Sequence, residues 1–305
     1  MPTLEWIGKS KVINHHQDVP FRVLERKYSF DENGQHNEDN GSENMIIRGD
    51  NLEAKVLNGQ IIAYPAAEQF ADRLSGQRFS GLDRCGKFLI FQLETGDRLF
   101  LHLRMTGQLL VTPKEFPSEK HTHLVLHLDN GTQLRYIDVR RFGRFWYIGK
   151  EESESITGID KLGLEPFDEQ LTAEYLKSKL SRKKKPIKEM LHDQSVVAGI
   201  GNIYSDEILY LCGIYPETKC TDLTNADWEK LSRIIPQELS LAIKENEMSA
   251  EEYLAGKGKE YRNTPFLKSY GHEGMPCPIC GSIFERITVG GRSSCYCPKC
   301  QKASH

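Results

Sequence analysis

Four cysteines near the end of the 305-residue chain have the spacing of a metal site. Cys277-Pro-Ile-Cys280 and Cys297-Pro-Lys-Cys300 are two Cys-x-x-Cys pairs separated by sixteen residues. Each pair can turn two thiolates toward one point, and two pairs complete a tetrahedral Zn2+ shell with Zn–S distances of about 2.3 Å. Four protein ligands leave no open position, so the expected ion is one structural zinc with no catalytic role. The intervening GSIFERITVGGRSS predicts a two-stranded ribbon turning at Gly290-Gly291. Cys295 has the wrong spacing to Cys297 for a tight pair and stays outside the shell; Cys85, Cys212 and Cys220 are scattered. Disulfides would need an oxidising compartment. The start MPTLEWIGKSKVINHH has neither the apolar stretch nor the small-residue cleavage site of a secretory signal.

The second chemical feature is the placement of cations. A net charge of -3 does not by itself point to nucleic acid, so the distribution has to be read. Arg182, Lys183, Lys184, Lys185 and Lys188 form a basic run, and the segment Pro276–His305 carries four Lys/Arg against one acid. Such a run standing alone is most often a solvated face. No stretch of about 18 apolar residues is present, so no membrane span is expected.

The elements that must position these groups change along the chain. Asp31 to Asn44 is a polar Asn/Gly/Asp/Glu tract that reads as a loop or linker. From about 55 to 150, KFLIFQL, RLFLHLRM, HLVLHLD and QLRYIDV are short β-prone runs, separated by turn signals such as Glu94-Thr-Gly-Asp97 and Asp129-Asn-Gly131. Their number and spacing suggest a sandwich or barrel. Glu68 to Leu74 reads as one short helix. From about 172 to 256 the period is helical: Leu171, Tyr175, Leu176 and Leu180 share a face, as do Trp228, Leu231, Ile234, Ile235 and Leu239.

Four segments, in this order, resemble formamidopyrimidine-DNA glycosylase of the Fpg/Nei family: RCGKFLIF (Arg84 to Phe91), HLRMTGQL (His102 to Leu109), DVRRFG (Asp138 to Gly143) and DQSVVAGIGNIYSDE (Asp193 to Glu207). The zinc ribbon ending GRSSCYCPKCQK follows them, and the resemblance runs from about 56 to 302. The Arg-Arg-Phe-Gly segment and the Met of HLRMTG favour the formamidopyrimidine branch. The resemblance implies an α+β multidomain protein: a β-sandwich domain over 55–155, a helical helix–two-turn–helix domain over 165–256, and a four-cysteine zinc finger over 268–303. It implies a monomer with damaged double-stranded DNA as partner, bound in the cleft between domains, in the bacterial cytoplasm at the nucleoid. The implied activity removes oxidised purines such as 8-oxoguanine and formamidopyrimidines, then cuts the strand by β,δ-elimination.

The resemblance also implies roles for single residues. Met105, Arg140 and Phe142 match the wedge that fills the hole left by an extruded base, work for which apolar and guanidinium side chains are suited. His121, Lys184, Lys188 and Asn202 match DNA-contacting positions, with Asn202 in a GIGN turn where glycines admit a phosphate. Lys87 matches the lysine that assists β-elimination, and Arg292, on the zinc ribbon turn, matches the arginine that grips the lesion phosphate. The segments Glu217–Asn225 and Lys257–Asn263 are candidates for the loop that sets lesion preference.

The front of the chain departs from the family pattern. The family begins Met-Pro-Glu-Leu-Pro-Glu, its proline amine attacking the sugar C1′ and its glutamate serving as general acid. Here the start is Met-Pro-Thr-Leu-Glu-Trp, with Pro2 present and Thr3 at the place of the acid. Residues 9–54, KSKVINHHQDVPFRVLERKYSF followed by ENMIIRGDNLEA, resemble the opening of a restriction-system DNA adenine methyltransferase, without its Asp-Pro-Pro-Tyr motif. The expectation is a foreign, partly disordered segment over 1–54 joined to a shortened glycosylase. Its alternative function is damaged-DNA binding with impaired chemistry.

Overall fold

The computed structural model describes residues 52–245, apart from 118 and 130, and residues 266–302. It also describes three short strands nearer the start, β1 (Ile13–Asn14), β2 (Ser29–Asp31) and β3 (Gly34–His36). Pro2, Thr3 and the candidate loop Lys257–Asn263 lie outside the described residues. The chain forms two compact units, with Asp160 the last described residue of the first and Lys161 the first of the second.

The first unit holds β4 (Glu53–Val56), β5 (Ile62–Tyr64), α1 (Ala67–Leu74), β6 (Phe79–Cys85), β7 (Phe88–Leu93), β8 (Arg98–His102), β9 (Gly107–Pro113), β10 (Thr122–His127), β11 (Thr132–Asp138) and β12 (Arg144–Ile148). They make two five-stranded sheets, ordered β1-β9-β11-β10-β4 and β5-β12-β8-β7-β6. The cause is alternation. Leu89, Phe91 and Leu93, Leu99 and Leu101, Leu124 and Leu126, and Leu134 and Tyr136 stand two apart, so each set leaves its strand on one face. All of them enter a single buried cluster fed by both sheets. Aromatic edges fit into it, with the Tyr136 and Phe145 rings T-shaped at 5.0 Å. Helix α1 adds Phe70 and Leu74, four apart and fully buried.

This unit corrects the reading of residues 9–54 at its end. No structural break falls at Ala54–Lys55: β4 runs across it, with Ala54 opposite Leu126 and Lys55 opposite Val125. Leu52, the residue just before that strand, is 2 % exposed in the shared core. The last residues assigned to a foreign segment are therefore an edge strand and core of the sheet domain.

The second unit holds α2 (Ala173–Leu180), α3 (Ile187–Leu191), α4 (Asn202–Cys212), α5 (Asn225–Glu245), β13 (Glu285–Val289) and β14 (Arg292–Tyr296). Thr172 caps α2, its hydroxyl accepting from Tyr175 N at 3.2 Å. In α5, Trp228, Leu231, Ile235, Leu239 and Ala242 return every three or four residues and are buried in one cluster with α2, α3 and α4. The ribbon forms as its sequence predicts, with Val289 opposite Arg292 across the Gly290-Gly291 turn. No helix among the described residues is long and apolar enough to cross a membrane.

Candidate nucleic-acid interface

Strand register gathers the first set of predicted residues at one end of the two sheets. In one sheet, Phe88, His102 and Arg144 lie side by side on β7, β8 and β12. In the other, Gly107 pairs with Asp138 and Thr122 with Ile137. The β8–β9 and β11–β12 connections, 103–106 and 139–143, therefore both cross from sheet to sheet at this end. One carries Met105 and the other Arg140 and Phe142. His121 immediately precedes β10 at the same end, and Lys87 sits in the β6–β7 turn.

The side chains suit a probing surface. Phe142 is 44 % exposed, an unusual cost for an aromatic residue. The Arg140 guanidinium lies over its ring, 4.7 Å from the centroid, which holds the two together as a flat cationic-aromatic pair. Met105 is half-buried. Arg104 and Arg141, the residues just before Met105 and Phe142, have φ of 57° and 58°. Non-glycine residues enter that region at a cost and are found where surrounding structure imposes it. Lys87 is half-buried beside Phe88, whose ring meets the His102 ring edge-on at 4.9 Å.

In the second unit, two turns separate α3 from α4. Gln194 spans them, its Nε2 donating to the carbonyls of His192 and Ile200 and its Oε1 accepting from Gly199 N. Asn202 is the first residue of α4, and no side chain caps that helix at Gly201. An uncapped helix start presents backbone N–H groups and a positive dipole end to an anion. Lys184 is exposed.

Lys188, expected among the DNA-contacting residues, is buried and ion-paired in the structure. It is 1 % exposed, and its Nζ donates to Asp206 Oδ1 at 2.7 Å and to the carbonyl of Ser293 at 2.8 Å. A buried ammonium requires a counter-charge, and Asp206 supplies it. Asp206 also accepts from Ser294 Oγ and Cys295 N, so the pair pins β14 to α3 and α4. Arg292 opens β14 and is exposed. The turn before it lies close to α3: a Cβ at Gly290 would stand 2.6 Å from Glu189 Cγ.

The four predicted cysteine ligands are brought together. The Sγ atoms of Cys277, Cys280, Cys297 and Cys300 lie within 4.8 Å of one another, with 3.4 Å between Cys280 and Cys297 and 3.9 Å between Cys277 and Cys300. A tetrahedron with Zn–S of about 2.3 Å has edges of about 3.8 Å, so the set fits one structural zinc. The thiols do not share one titration behaviour. Hydrogen bonds from Ser282 bring Cys280 down to about 6, while burial pushes Cys297 and Cys300 up. Four thiolates this close repel one another, and a divalent cation removes the conflict. Cys295 is buried outside the cluster, as its spacing predicts.

Sequence reasoning missed the acids that organise these parts. Asp138, Asp206 and Glu207 are each 0 % exposed. Glu207 accepts from the backbone N–H groups of Lys268, Ser269 and Tyr270, holding the segment that leads into the zinc ribbon. A signal existed for two of them: the adjacent acids of NIYSDEILYL interrupt an otherwise apolar helix.

Comparison with known proteins accounts for this set of parts. Residues 42–145 match the formamidopyrimidine-DNA glycosylase N-terminal domain, 162–253 its H2TH domain, and 274–303 the zinc finger found in FPG and IleRS. The first match begins inside the stretch read as methyltransferase-like, and no comparison supports that reading. The formamidopyrimidine-DNA glycosylase of Desulforamulus reducens is 43% identical over 81% of this chain and 90% of its own length. That of Pelotomaculum thermopropionicum is 39% identical over the same shares, 81% and 90%. Among solved structures, Lactococcus lactis formamidopyrimidine-DNA glycosylase bound non-covalently to AP-site DNA has a TM-score of 0.75 at 33% identity, covering 85% of this chain and 94% of that one. A complex of the Lactococcus lactis protein with FAPY-dG DNA also has a TM-score of 0.75, at 32% identity and covering 84% and 94%. Three matched domains in order, at this identity and coverage, make the chain a member of the formamidopyrimidine-DNA glycosylase family.

Proposed function

We propose that the chain is a base-excision repair glycosylase with AP lyase activity, acting as a monomer on oxidised purines such as 8-oxoguanine and formamidopyrimidines in duplex DNA. One observation carries this reading most: Met105, Arg140 and Phe142 stand on two loops at one end of the sheets, with Phe142 exposed and stacked under a guanidinium. An enzyme that reaches a base in a duplex must extrude it and fill the gap. Met105 and Phe142 serve as apolar wedges and Arg140 faces the orphaned partner base. His121, Lys184 and Asn202 hold phosphates, Asn202 at the uncapped start of α4. The two sheets, sharing one core, act as a sandwich that carries the wedge.

In the chemical step an amine attacks C1′ and the base departs with a proton; the C1′–O4′ bond then opens, O4′ taking the amine's proton, and the resulting Schiff base makes the C2′ proton acidic. The amines available are Pro2, once Met1 is removed, and Lys87. Lys87 assists β-elimination, in which the C2′–H and C3′–O bonds break and the 3′ phosphate leaves; δ-elimination then releases the 5′ phosphate. Arg292 neutralises the lesion phosphate as it departs, and the zinc keeps the turn under Arg292 in place. The proposed soluble, nucleoid-associated location follows from this substrate.

The test is incision of an end-labelled duplex containing one 8-oxoguanine opposite cytosine. The expected products carry phosphates at both ends of the gap, with an undamaged duplex left uncut. Lesion-selective binding without incision would instead support the binding-only alternative.

A further inference from the structure

The two wedge loops share one buried acceptor. Asp138, the last residue of β11, is 0 % exposed, and each of its carboxylate oxygens receives two hydrogen bonds. Oδ1 takes the hydroxyl of Thr106 and, at 3.1 Å, the N–H of Arg140. Oδ2 takes the hydroxyl of Tyr136 at 2.9 Å and the N–H of Gly143 at 3.0 Å. Thr106 adjoins Met105, and Arg140 and Gly143 bracket Phe142. The backbone of Asp138 extends the link: its N–H donates to His121 O at 3.0 Å, and its carbonyl meets His123 Nε2 at 2.7 Å. The space is closed around it. A Cβ at Gly143 would stand 1.7 Å from the Tyr136 hydroxyl, and one at Gly107 would stand 2.7 Å from it.

The chemistry requires a carboxylate here. All four donors point inward, and two are backbone N–H groups that cannot reverse. An asparagine turned either way would face its NH2 toward one of those N–H groups, leaving that donor buried and unpaired. Among the described residues, the donors to this carboxylate are neutral hydroxyls and backbone N–H groups.

We propose that Asp138 is a positioning residue for base extrusion. Its carboxylate is the common acceptor that fixes Met105, Arg140 and Phe142 in one wedge, and through its backbone aligns His121 with them. This role rests on the glycosylase reading for its consequence, while the coupling of the two loops stands on the geometry alone. Wedge formation matters for opening a duplex and not for cutting an already exposed sugar. The two activities should therefore separate.

The experiment compares the full-length protein with Asp138→Asn in two ways. Hydrogen exchange on the free proteins should rise in both 103–107 and 139–143 together, with the helical unit unchanged. On DNA, kcat/KM for excision of 8-oxoguanine from duplex should fall tenfold or more. The fluorescence rise of 2-aminopurine placed beside the orphaned base should shrink with it. Cleavage of a single-stranded AP site should fall by no more than about twofold. Wild-type exchange and wild-type duplex excision in the variant would overturn the proposal, as would exchange rising only in 139–143. Equal losses on duplex and single strand would also overturn it, since a general packing defect predicts them. If Asp138→Asn does not fold, Thr106→Val and Tyr136→Phe decide. A rise in exchange at 139–143 in Thr106→Val supports the common acceptor, and no rise there in either variant rejects it. An inactive wild-type protein would refute the glycosylase reading alone, and the exchange data would still decide the coupling.

Discussion

Two buried aspartates organise the two halves of this protein by different means. Asp138 gathers neutral donors, two hydroxyls and two backbone N–H groups, and so ties loop to loop. Asp206 faces the buried ammonium of Lys188 and, with it, ties helix to ribbon. The first arrangement sets direction: four donors at fixed places define where two loops must run. The second sets attachment: a desolvated ion pair is indifferent to small rotations but costly to break from one side. The proposed wedge thus rests on hydrogen-bond geometry, and the ribbon that carries Arg292 rests on charge and metal.

The largest expected effect breaks the attachment half alone. Zinc removal with a strong chelator should unfold the ribbon, because structural zinc contributes about 10–16 kcal/mol to such modules. Hydrogen exchange should rise throughout β13 and β14 while β7 through β12 stay protected. Loss of protection in the sheets would show that the halves are not independent in this sense.

Next in size is the ion pair. Lys188→Ala leaves Asp206 buried without its counter-charge and should cost about 3–5 kcal/mol in urea unfolding, whereas replacing both partners by apolar residues should recover a good part of that loss. A double variant as unstable as Lys188→Ala would contradict the assignment. The same change should lower incision through Arg292, whose strand Lys188 holds at Ser293.

Acid should separate the two aspartates. Burial alone would raise the Asp138 carboxyl, but the bonds from Gly143 N, Thr106, Tyr136 and Arg140 N outweigh it and hold the group below the usual carboxylate range. Its contribution is therefore complete above the unfolded value of about 3.9 and is lost as pH falls through the lower folded value. For Asp206 burial dominates even beside Lys188 and pushes the carboxyl up. That group adds stability as pH falls from its raised folded value toward about 3.9, the opposite sign. Carboxyl carbon shifts followed by NMR should titrate below the normal range for one and above it for the other. Shifts in the same direction would remove the contrast.

How far the sequence reveals these parts depends on how local each one is. The zinc ligands are three residues apart in pairs, the ribbon turns at two adjacent glycines, and α5 declares itself by apolar spacing, so all three are legible in the sequence. The residues proposed as the wedge lie in contiguous motifs, so the sequence alone singles them out. The burial of Lys188 is not legible in the same way: it stands at the end of a basic run, and its partner Asp206 lies eighteen residues on in a helix that reads as apolar. Asp138 lies inside DVRRFG, yet its burial depends on Thr106, thirty-two residues away. The edge strand β4 was hidden in a segment that resembled another protein, and only its pairing with β10 reveals it.

The smallest effects concern exposed side chains. Phe142→Ala and Arg292→Ala should leave stability within about 0.5 kcal/mol of wild type, since neither is buried, while each slows incision of lesion duplex. A large loss of stability in Phe142→Ala would make it a core residue and not a wedge.

The central claim is that this chain performs covalent chemistry on damaged DNA. Borohydride reduction of the protein mixed with 8-oxoguanine duplex tests it most directly, because a Schiff base becomes a permanent cross-link. The account predicts a trapped adduct on lesion duplex and none on intact duplex, with the attached peptide carrying Pro2 or Lys87. Lesion-selective binding with no trapped adduct would contradict it.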